Sequence, residues 1–237
     1  MILAFGDVHS PDYLPLLDRA LKGLRSEPEL VLLAGDMVRR NKVDEMPRVI
    51  RLVRRHTDAP ILGVFGNEEY EESEELYIEQ NPEVRWLRDE GAILSIGNVK
   101  IGVFGTRGSL QEPTWWQSQN IPGIRKRYRE RISRTREGLR ALRVKVDVLI
   151  LLSHYSVGFR CVVGEPERIW KFMGHPEMER VALETGVDIA IHGHAHRARV
   201  LEAEVQGMRI LNVALPARGD VTLLKPRPRG GTLFSFG

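Results

Sequence analysis

Residues 2–9 read ILAFGDVH, an apolar run that ends in a glycine, an aspartate and, one residue later, a histidine. The same order of an apolar run and then Gly-Asp returns at residues 30–36, which read LVLLAGD. A third run, PILGVFGN at residues 60–67, ends in Gly-Asn. Short apolar runs bounded by glycine are typical of buried β-strands. We therefore predict three buried strands, each followed directly by a polar side chain.

The segments between these strands have helical periodicity. Residues 15–24 carry leucine and alanine at intervals of three and four, and residues 46–55 place Val49, Ile50 and Val53 on one face. Strands that alternate with helices form a parallel sheet with crossover helices. The first third of the chain thus predicts an α/β fold.

Beyond residue 67 the pattern is more varied. We predict an acidic helix at residues 68–80, a hairpin around Gly97-Asn98, a long loop at 106–123 and a basic helix at 124–143. Strands are predicted at 146–152 and 188–191, with a helix at 177–185 between them. A second hairpin around Gln206-Gly207 and short strand-like pieces at 221–236 follow. No fixed-period repeat or linker divides the chain. We therefore expect a single domain over residues 1–237.

Composition restricts the class of protein. The 237 residues are 42% hydrophobic and 28% charged, which is ordinary for a soluble globular protein. No apolar run approaches the roughly 20 residues of a membrane span, and the first residues lack the features of a signal peptide. The single cysteine, Cys161, excludes an internal disulfide and a cysteine-based metal site. We expect a cytoplasmic protein without a membrane partner, and the pI near 9.1 leaves phosphate-bearing partners open.

The polar residues that follow the strands carry the chemical information. They are Asp7, His9, Asp36, Asn67, His154, His194 and His196. Because the carboxyl ends of parallel strands meet at one edge of a sheet, we expect these side chains to converge there. Oxygen and imidazole donors without thiolates suit Mn, Fe, Zn or Ni. In Asp7-Val8-His9 and His194-Ala195-His196, an extended backbone would place both side chains on one side.

Four of these residues follow a glycine directly, and together the motifs resemble those of the calcineurin-like metallophosphoesterases. The motifs are Gly6-Asp7-Val8-His9, Gly35-Asp36, Gly66-Asn67, His154 and Gly193-His194-Ala195-His196. The resemblance implies a four-layer α/β/β/α sandwich of two mixed β-sheets, with a dinuclear metal site at the strand ends. By position, one metal would be held by Asp7, His9, Asp36 and His196, and the second by Asp36, Asn67, His154 and His194, with Asp36 bridging.

This resemblance implies a phosphoric ester hydrolase. Two divalent ions about 3.5–4 Å apart would activate a bridging hydroxide for in-line attack on phosphorus, with Asp36, Asn67 and His154 as the catalytic protein residues. Mn is the ion we expect to support activity in vitro. One position departs from the family, since Glu68 stands where a histidine usually contacts phosphate. His192 and His175 are weak candidates to replace it. Relatives without that histidine tend to favour diesters, so we expect a phosphodiesterase.

Other interpretations remain open. Asp7 and Asp36 taken singly could be helix caps, and some proteins with this fold are non-catalytic interaction scaffolds. The basic residues between Arg125 and Arg143 could bind nucleic acid, which would make the protein a nuclease. We favour a solvated helix face, or pairing with the acidic residues 68–79 within one chain or between subunits of a homo-oligomer. Trp115-Trp116 could stack on a base or form a lid or a dimer contact.

Overall fold

The computed structural model describes residues 1–227, so part of the predicted strand-like tail at 221–236 lies outside the described residues. The strands are β1 (Ile2–Phe5), β2 (Leu30–Leu33), β3 (Ile61–Gly63), β4 (Val84–Trp86), β5 (Glu90–Ile96), β6 (Val99–Thr106), β7 (Val148–Ser153), β8 (Ser156–Val157), β9 (Gly174–His175), β10 (Ile189–His192), β11 (Glu202–Val205), β12 (Met208–Asn212) and β13 (Thr222–Leu224). The α-helices are α1 (Leu14–Lys22), α2 (Met46–Arg54), α3 (Glu74–Gln80), α4 (Trp115–Asn120), α5 (Ile124–Arg143), α6 (Pro176–Glu184) and α7 (Leu215–Arg218).

The strands form two mixed sheets. The first has the order β13-β1-β2-β3-β4, in which β1 to β4 are parallel and β13 is antiparallel to β1. The second has the order β11-β12-β10-β7-β6-β5, with the two edge strands antiparallel to their neighbours. Strands β8 and β9 pair separately. The predicted pair of mixed β-sheets is confirmed.

Successive side chains of a strand point to opposite faces of the sheet, so they pack in different layers. In β1, Ile2 and Ala4 belong to an apolar cluster that also contains Val148 and Ile150 of β7, so this cluster lies between the sheets. The intervening Leu3 packs in a second cluster with residues of α1 and α2. A third cluster joins the outer face of the second sheet to α5 and α6. Strands buried on both faces explain the continuous apolar runs of the sequence, and three clusters between four layers match the predicted α/β/β/α sandwich.

The predicted loop at residues 106–123 is wrong in part, because it contains helix α4. The Thr114 hydroxyl accepts a hydrogen bond from the backbone N–H of Gln117, whose side chain in turn accepts one from the N–H of Thr114. This reciprocal capping box stabilises the first turn of a short helix. The prediction of a helix throughout 68–80 is also too long, since α3 begins at Glu74 after a 3₁₀ turn.

No helix within residues 1–227 has both the length and the apolar character that crossing a bilayer requires. Both sheets contribute to one apolar cluster, and we retain the prediction of a single domain on that basis.

Cys161 is fully buried, and its thiol lies 3.6 Å from the carbonyl oxygen of Ile210. Burial raises the pKa of this thiol from 9.0 to about 12. Because the thiolate is the reactive form, we expect labelling by Ellman's reagent at pH 8 to be at least about 100-fold slower in the native protein than in urea. The native rate should rise with pH. Equal rates in the native and unfolded protein would contradict this burial.

Candidate metal centre

Six of the seven candidate ligands form two groups at the carboxyl ends of the strands. Each group offers three ligand atoms that lie within 4.8 Å of one another. The groups are Asp7, His9 and His196, and Asp36, His154 and His194. The seventh candidate, Asn67, follows β3 and places its Oδ1 atom 3.0 Å from Nε2 of His154. The structure thus brings all seven predicted residues to one place.

The two sheets meet at this edge, which explains why residues so distant in sequence converge. The backbone N–H of Gly6, after β1, donates to the carbonyl of Val213, after β12, at 3.0 Å. The ring Nδ1 of His154, after β7, lies 2.9 Å from the carbonyl of Ala34, after β2. This contact holds the imidazole so that Nε2 faces the other candidate ligands.

In the first group, Asp7 is the central residue. Its Oδ1 lies 2.8 Å from Nε2 of His196 and 3.8 Å from Nε2 of His9. The two histidine Nε2 atoms are 3.3 Å apart. The backbone N–H of His194 donates to the same carboxylate at 3.0 Å. This hydrogen bond connects the first group to the backbone of His194, whose side chain belongs to the second group.

Asp36 lies between the two groups. Its Oδ2 is 3.7 Å from Nε2 of His9 in the first group and 3.5 Å from Nε2 of His154 in the second. Its Oδ1 accepts a hydrogen bond from the backbone N–H of Glu68 at 2.8 Å. The carboxylate is therefore fixed by the loop after β3, with one oxygen directed at both groups.

The backbone at these ligands is not the extended chain that the one-residue gaps suggested. Asp7, His9, Asp36 and His194 have φ values of 58°, 41°, 54° and 69°, in the left-handed region. That region is costly for residues other than glycine, although aspartate and histidine enter it more often than most. Such strain is concentrated at functional sites. The paired side chains converge through tight turns, so the expectation of extended backbone is wrong.

The glycines are required for close approach. A Cβ on Gly66 would lie 2.1 Å from Oδ1 of Asp36, and a Cβ on Gly193 would lie 2.3 Å from Oδ2 of Asp7. Both distances are far below van der Waals contact. Gly35 additionally adopts a φ of 82°. A side chain at any of these three positions would displace a candidate ligand or strain the turn.

The electrostatics of the site fit a divalent cation. Burial, and then the charge of Asp7, raise the pKa of Asp36 to about 7. Burial also opposes ionisation of Asp7, but hydrogen bonds with His196 and His9 outweigh it and hold the pKa of Asp7 well below its ordinary value. Burial lowers the pKa of His154 to about 4. Burial opposes protonation of His9 and His196 as well, but hydrogen bonds with Asp7 outweigh it and raise the pKa of both. Metal ions bind neutral imidazoles and ionised carboxylates, so a cation in the first group would displace the protons of these two histidines.

Sequence reasoning missed Glu69, which is fully buried behind Asp36. Its carboxylate accepts hydrogen bonds from three backbone N–H groups, those of Asp36 at 2.9 Å, Val38 at 3.1 Å and Gly66 at 2.7 Å. These bonds connect the turns after β2 and β3. Nothing in the acidic run at 68–79 distinguishes Glu69 from its exposed neighbours.

The three remaining candidates are not members of the two ligand groups. The Glu68 carboxylate accepts a hydrogen bond from the N–H of Arg40 at 2.5 Å. His192 is buried between the Ser156 hydroxyl, 3.2 Å away, and the carbonyl of Gly193, 2.8 Å away. Nδ1 of His175 accepts a hydrogen bond from the N–H of Glu177 and caps α6. Neither histidine belongs to the two groups.

Known structures have the same fold. The phosphopantetheinyl hydrolase PptH from Mycobacterium tuberculosis is 15% identical, with a TM-score of 0.67 over 92% of this chain and 90% of that chain. GAP50 from Plasmodium, described as the anchor in the inner membrane complex, is 13% identical, with a TM-score of 0.56 over 91% of this chain and 71% of that one.

The NAD nucleotidase NadN from Haemophilus influenzae is 13% identical, with a TM-score of 0.55. The alignment covers 95% of this chain but 49% of the nucleotidase. No curated protein matches the chain by sequence at a significant level. The sequence profile of the calcineurin-like phosphoesterases, in contrast, matches residues 1–198 and so covers the whole metal centre. The chain therefore belongs to the calcineurin-like phosphoesterase family.

Proposed function

We propose that this protein hydrolyses phosphate esters with two divalent metal ions, one in each ligand group. The observation that carries the proposal is the position of Asp36 Oδ2, within 3.7 Å of His9 Nε2 and 3.5 Å of His154 Nε2. A shared carboxylate offsets the repulsion between two cations held close together. Bound divalent ions would activate a water as the nucleophile and neutralise the charge of the phosphate oxygens.

The protein residues supply position and charge. Asp36 is held between the groups by the N–H of Glu68 and by the turn that Glu69 stabilises. His154 is oriented by the carbonyl of Ala34, and its Nε2 faces Oδ1 of Asn67. These contacts fix the candidate ligands before substrate binds, which is how a two-metal site lowers the barrier to phosphoryl transfer.

A preference for diesters follows from Glu68. Its carboxylate lies in the loop that holds Asn67 and lines the cavity beside the second group. The negative charge of the Glu68 carboxylate repels a dianionic monoester more strongly than a monoanionic diester. We expect Mn-loaded protein to hydrolyse bis-p-nitrophenyl phosphate with kcat/KM at least about tenfold above that for p-nitrophenyl phosphate.

Glu68→Gln should narrow this ratio by improving the monoester reaction, because it removes the charge and keeps the shape. Glu79→Gln, on the exposed face of α3, is the matched control and should leave the ratio unchanged. A wild-type preference for the monoester would overturn the assignment as a diesterase.

The nuclease alternative rests on α5, whose arginines largely pair with acidic residues. The pairs are Arg127 with Glu71, Arg131 and Arg134 with Asp89, Arg136 with Glu177, and Arg143 with Asp188. Arg125, Arg129 and Arg140 are exposed and lie outside these pairs. This leaves a small basic surface for a polynucleotide, so we rank a nuclease below a small-ester hydrolase. Salt-sensitive cleavage of DNA or RNA would reverse that order.

The scaffold alternative predicts no chemistry at the metal centre. GAP50 is described as an anchor, and its likeness to this chain extends to the fold alone. A pure scaffold has no need for seven converging donors with left-handed turns at four of them. Metal-dependent turnover separates the two functions. On the single buried cysteine we keep the expectation of a cytoplasmic location.

A further inference from the structure

A cavity of about 560 Å³ opens beside the second ligand group. Asn67 and His194 form its metal end. Five aromatic side chains also line it, namely Tyr70, Trp116, Tyr128, Tyr155 and Phe172. A concave, aromatic-lined cavity next to a reactive centre is the usual form of a small-molecule site. It therefore offers a place for the organic part of an ester whose phosphate lies at the metal centre.

Tyr155 connects the metal centre to this cavity. The centre of its ring is 4.9 Å from that of His194 and 5.3 Å from that of His154. These are edge-on and tilted ring contacts. A group attached to a phosphate at the metal centre would thus enter the cavity past Tyr155.

Hydrogen bonds connect three side chains of the wall, and the Trp116 ring beside them is exposed. The Tyr128 hydroxyl donates to Oε1 of Gln117 at 3.1 Å, and Nε2 of Gln117 donates to the Tyr155 hydroxyl at 3.4 Å. Trp116, on the same short helix, is 60% exposed. An indole that is exposed and lines a cavity offers aromatic surface on which a planar ring can stack.

The cations of the cavity are already neutralised. Arg107 is 2.6 Å from Glu74, and Arg131 is 3.3 Å from Asp89. Acidic side chains of residues 68, 71 and 72 also line the cavity. A second phosphate would therefore meet net negative charge. This excludes a polynucleotide or a nucleoside di- or triphosphate as the preferred occupant, and favours an uncharged organic group.

We propose that this cavity binds the nucleobase of a nucleoside phosphodiester, with the base stacked on Trp116. The inference rests on the proposed function only in placing the phosphate at the metal centre. Stacking on an aromatic side chain tolerates all bases, and the tyrosine and glutamine groups of the wall supply hydrogen-bonding partners.

The test is binding of adenosine 5′-monophosphate and ribose 5-phosphate to the Mn-loaded chain of 237 residues by calorimetry. The two ligands share the phosphate and ribose and differ in the base. Both are monoesters, so the charge of Glu68 affects them equally and the ratio of affinities reports the base alone. We expect the nucleotide to bind at least about tenfold more tightly, in line with the usual strength of base stacking on an aromatic side chain. Trp116→Ala should reduce this ratio to about twofold or less, with little change for ribose 5-phosphate.

Trp115→Ala is the matched control. Trp115 is its neighbour on the same helix, is 77% exposed, and does not line the cavity, so the ratio should persist. Equal affinities for the two ligands in the wild type, or equal effects of the two tryptophan variants, would overturn the inference. Hydrolysis of the p-nitrophenyl esters is measured separately. Hydrolysis without base discrimination removes this inference alone, and base discrimination without hydrolysis removes the proposed catalysis alone.

Discussion

Asp36→Asn is expected to reduce the Mn-dependent kcat/KM for bis-p-nitrophenyl phosphate by at least about 1,000-fold. Two-metal sites supply several kcal/mol of transition-state stabilisation, and each 1.4 kcal/mol corresponds to about tenfold in rate. Asp36 is the residue that faces both ligand groups. An amide in its place carries no charge to offset two cations, so both ions should bind weakly.

The same substitution should leave the fold intact. Burial and the charge of Asp7 raise the pKa of Asp36 from 3.8 to about 7. This carboxyl therefore lowers the stability of the metal-free protein as the pH rises between these two values, and by the full amount above pH 7. Asparagine removes that charge, and its Oδ1 can still accept the N–H of Glu68. The thermal midpoint in EDTA at pH 8 should therefore be unchanged or higher than that of the wild type.

Asp58→Asn on an exposed loop is the control and should alter neither activity nor stability. If Asp36→Asn keeps more than about a tenth of the wild-type activity, the loss of transition-state stabilisation is below about 1.4 kcal/mol. That result would contradict the bridging role of Asp36.

Glu69→Gln is expected to have the second largest effect. The Glu69 carboxylate receives three backbone N–H groups, and both of its oxygens act as acceptors. The glutamine side chain keeps one acceptor oxygen, but its NH₂ group takes the place of the other oxygen. At least one backbone N–H then faces a donor and has no acceptor. A buried donor left without a partner costs about 1–3 kcal/mol of stability. Because the turn that carries Asp36 would move, we also expect metal affinity to fall by about 10- to 100-fold.

Urea unfolding in EDTA and Mn titration by calorimetry measure the two effects. Glu79→Gln has the same change of charge on an exposed side chain of α3 and should show neither. Wild-type metal affinity in a folded Glu69→Gln protein would mean that the turn does not depend on this carboxylate.

The sheet and the seven converging residues could be predicted because their signal is local. Each strand is a continuous apolar run, since it is buried on both faces, and each ligand follows its strand within a few residues. Because the strands are parallel, their carboxyl ends lie at the same edge of the sheet. The grouping of the ligands into two sets came from family resemblance, because strand order in the second sheet is not readable from spacing.

The features that were missed depend on contacts distant in sequence. Glu69 looks like part of an exposed acidic helix, and only the fold shows that it lies behind Asp36. Helix α4 was not predicted because residues 106–123 are polar and contain two prolines. Thr114 and Gln117 nevertheless have the spacing of a capping box. The left-handed turns at the ligands oppose ordinary residue preferences, so no propensity argument predicts them.

The most direct test is the metal content and position in the wild-type protein. Crystals grown with Mn and measured at the manganese absorption edge should show two anomalous peaks, one in each ligand group, with Asp36 between them. A single peak, peaks elsewhere, or no bound ion at saturating metal would contradict the proposal that Asp7, His9 and His196 hold one cation while Asp36, His154 and His194 hold its partner.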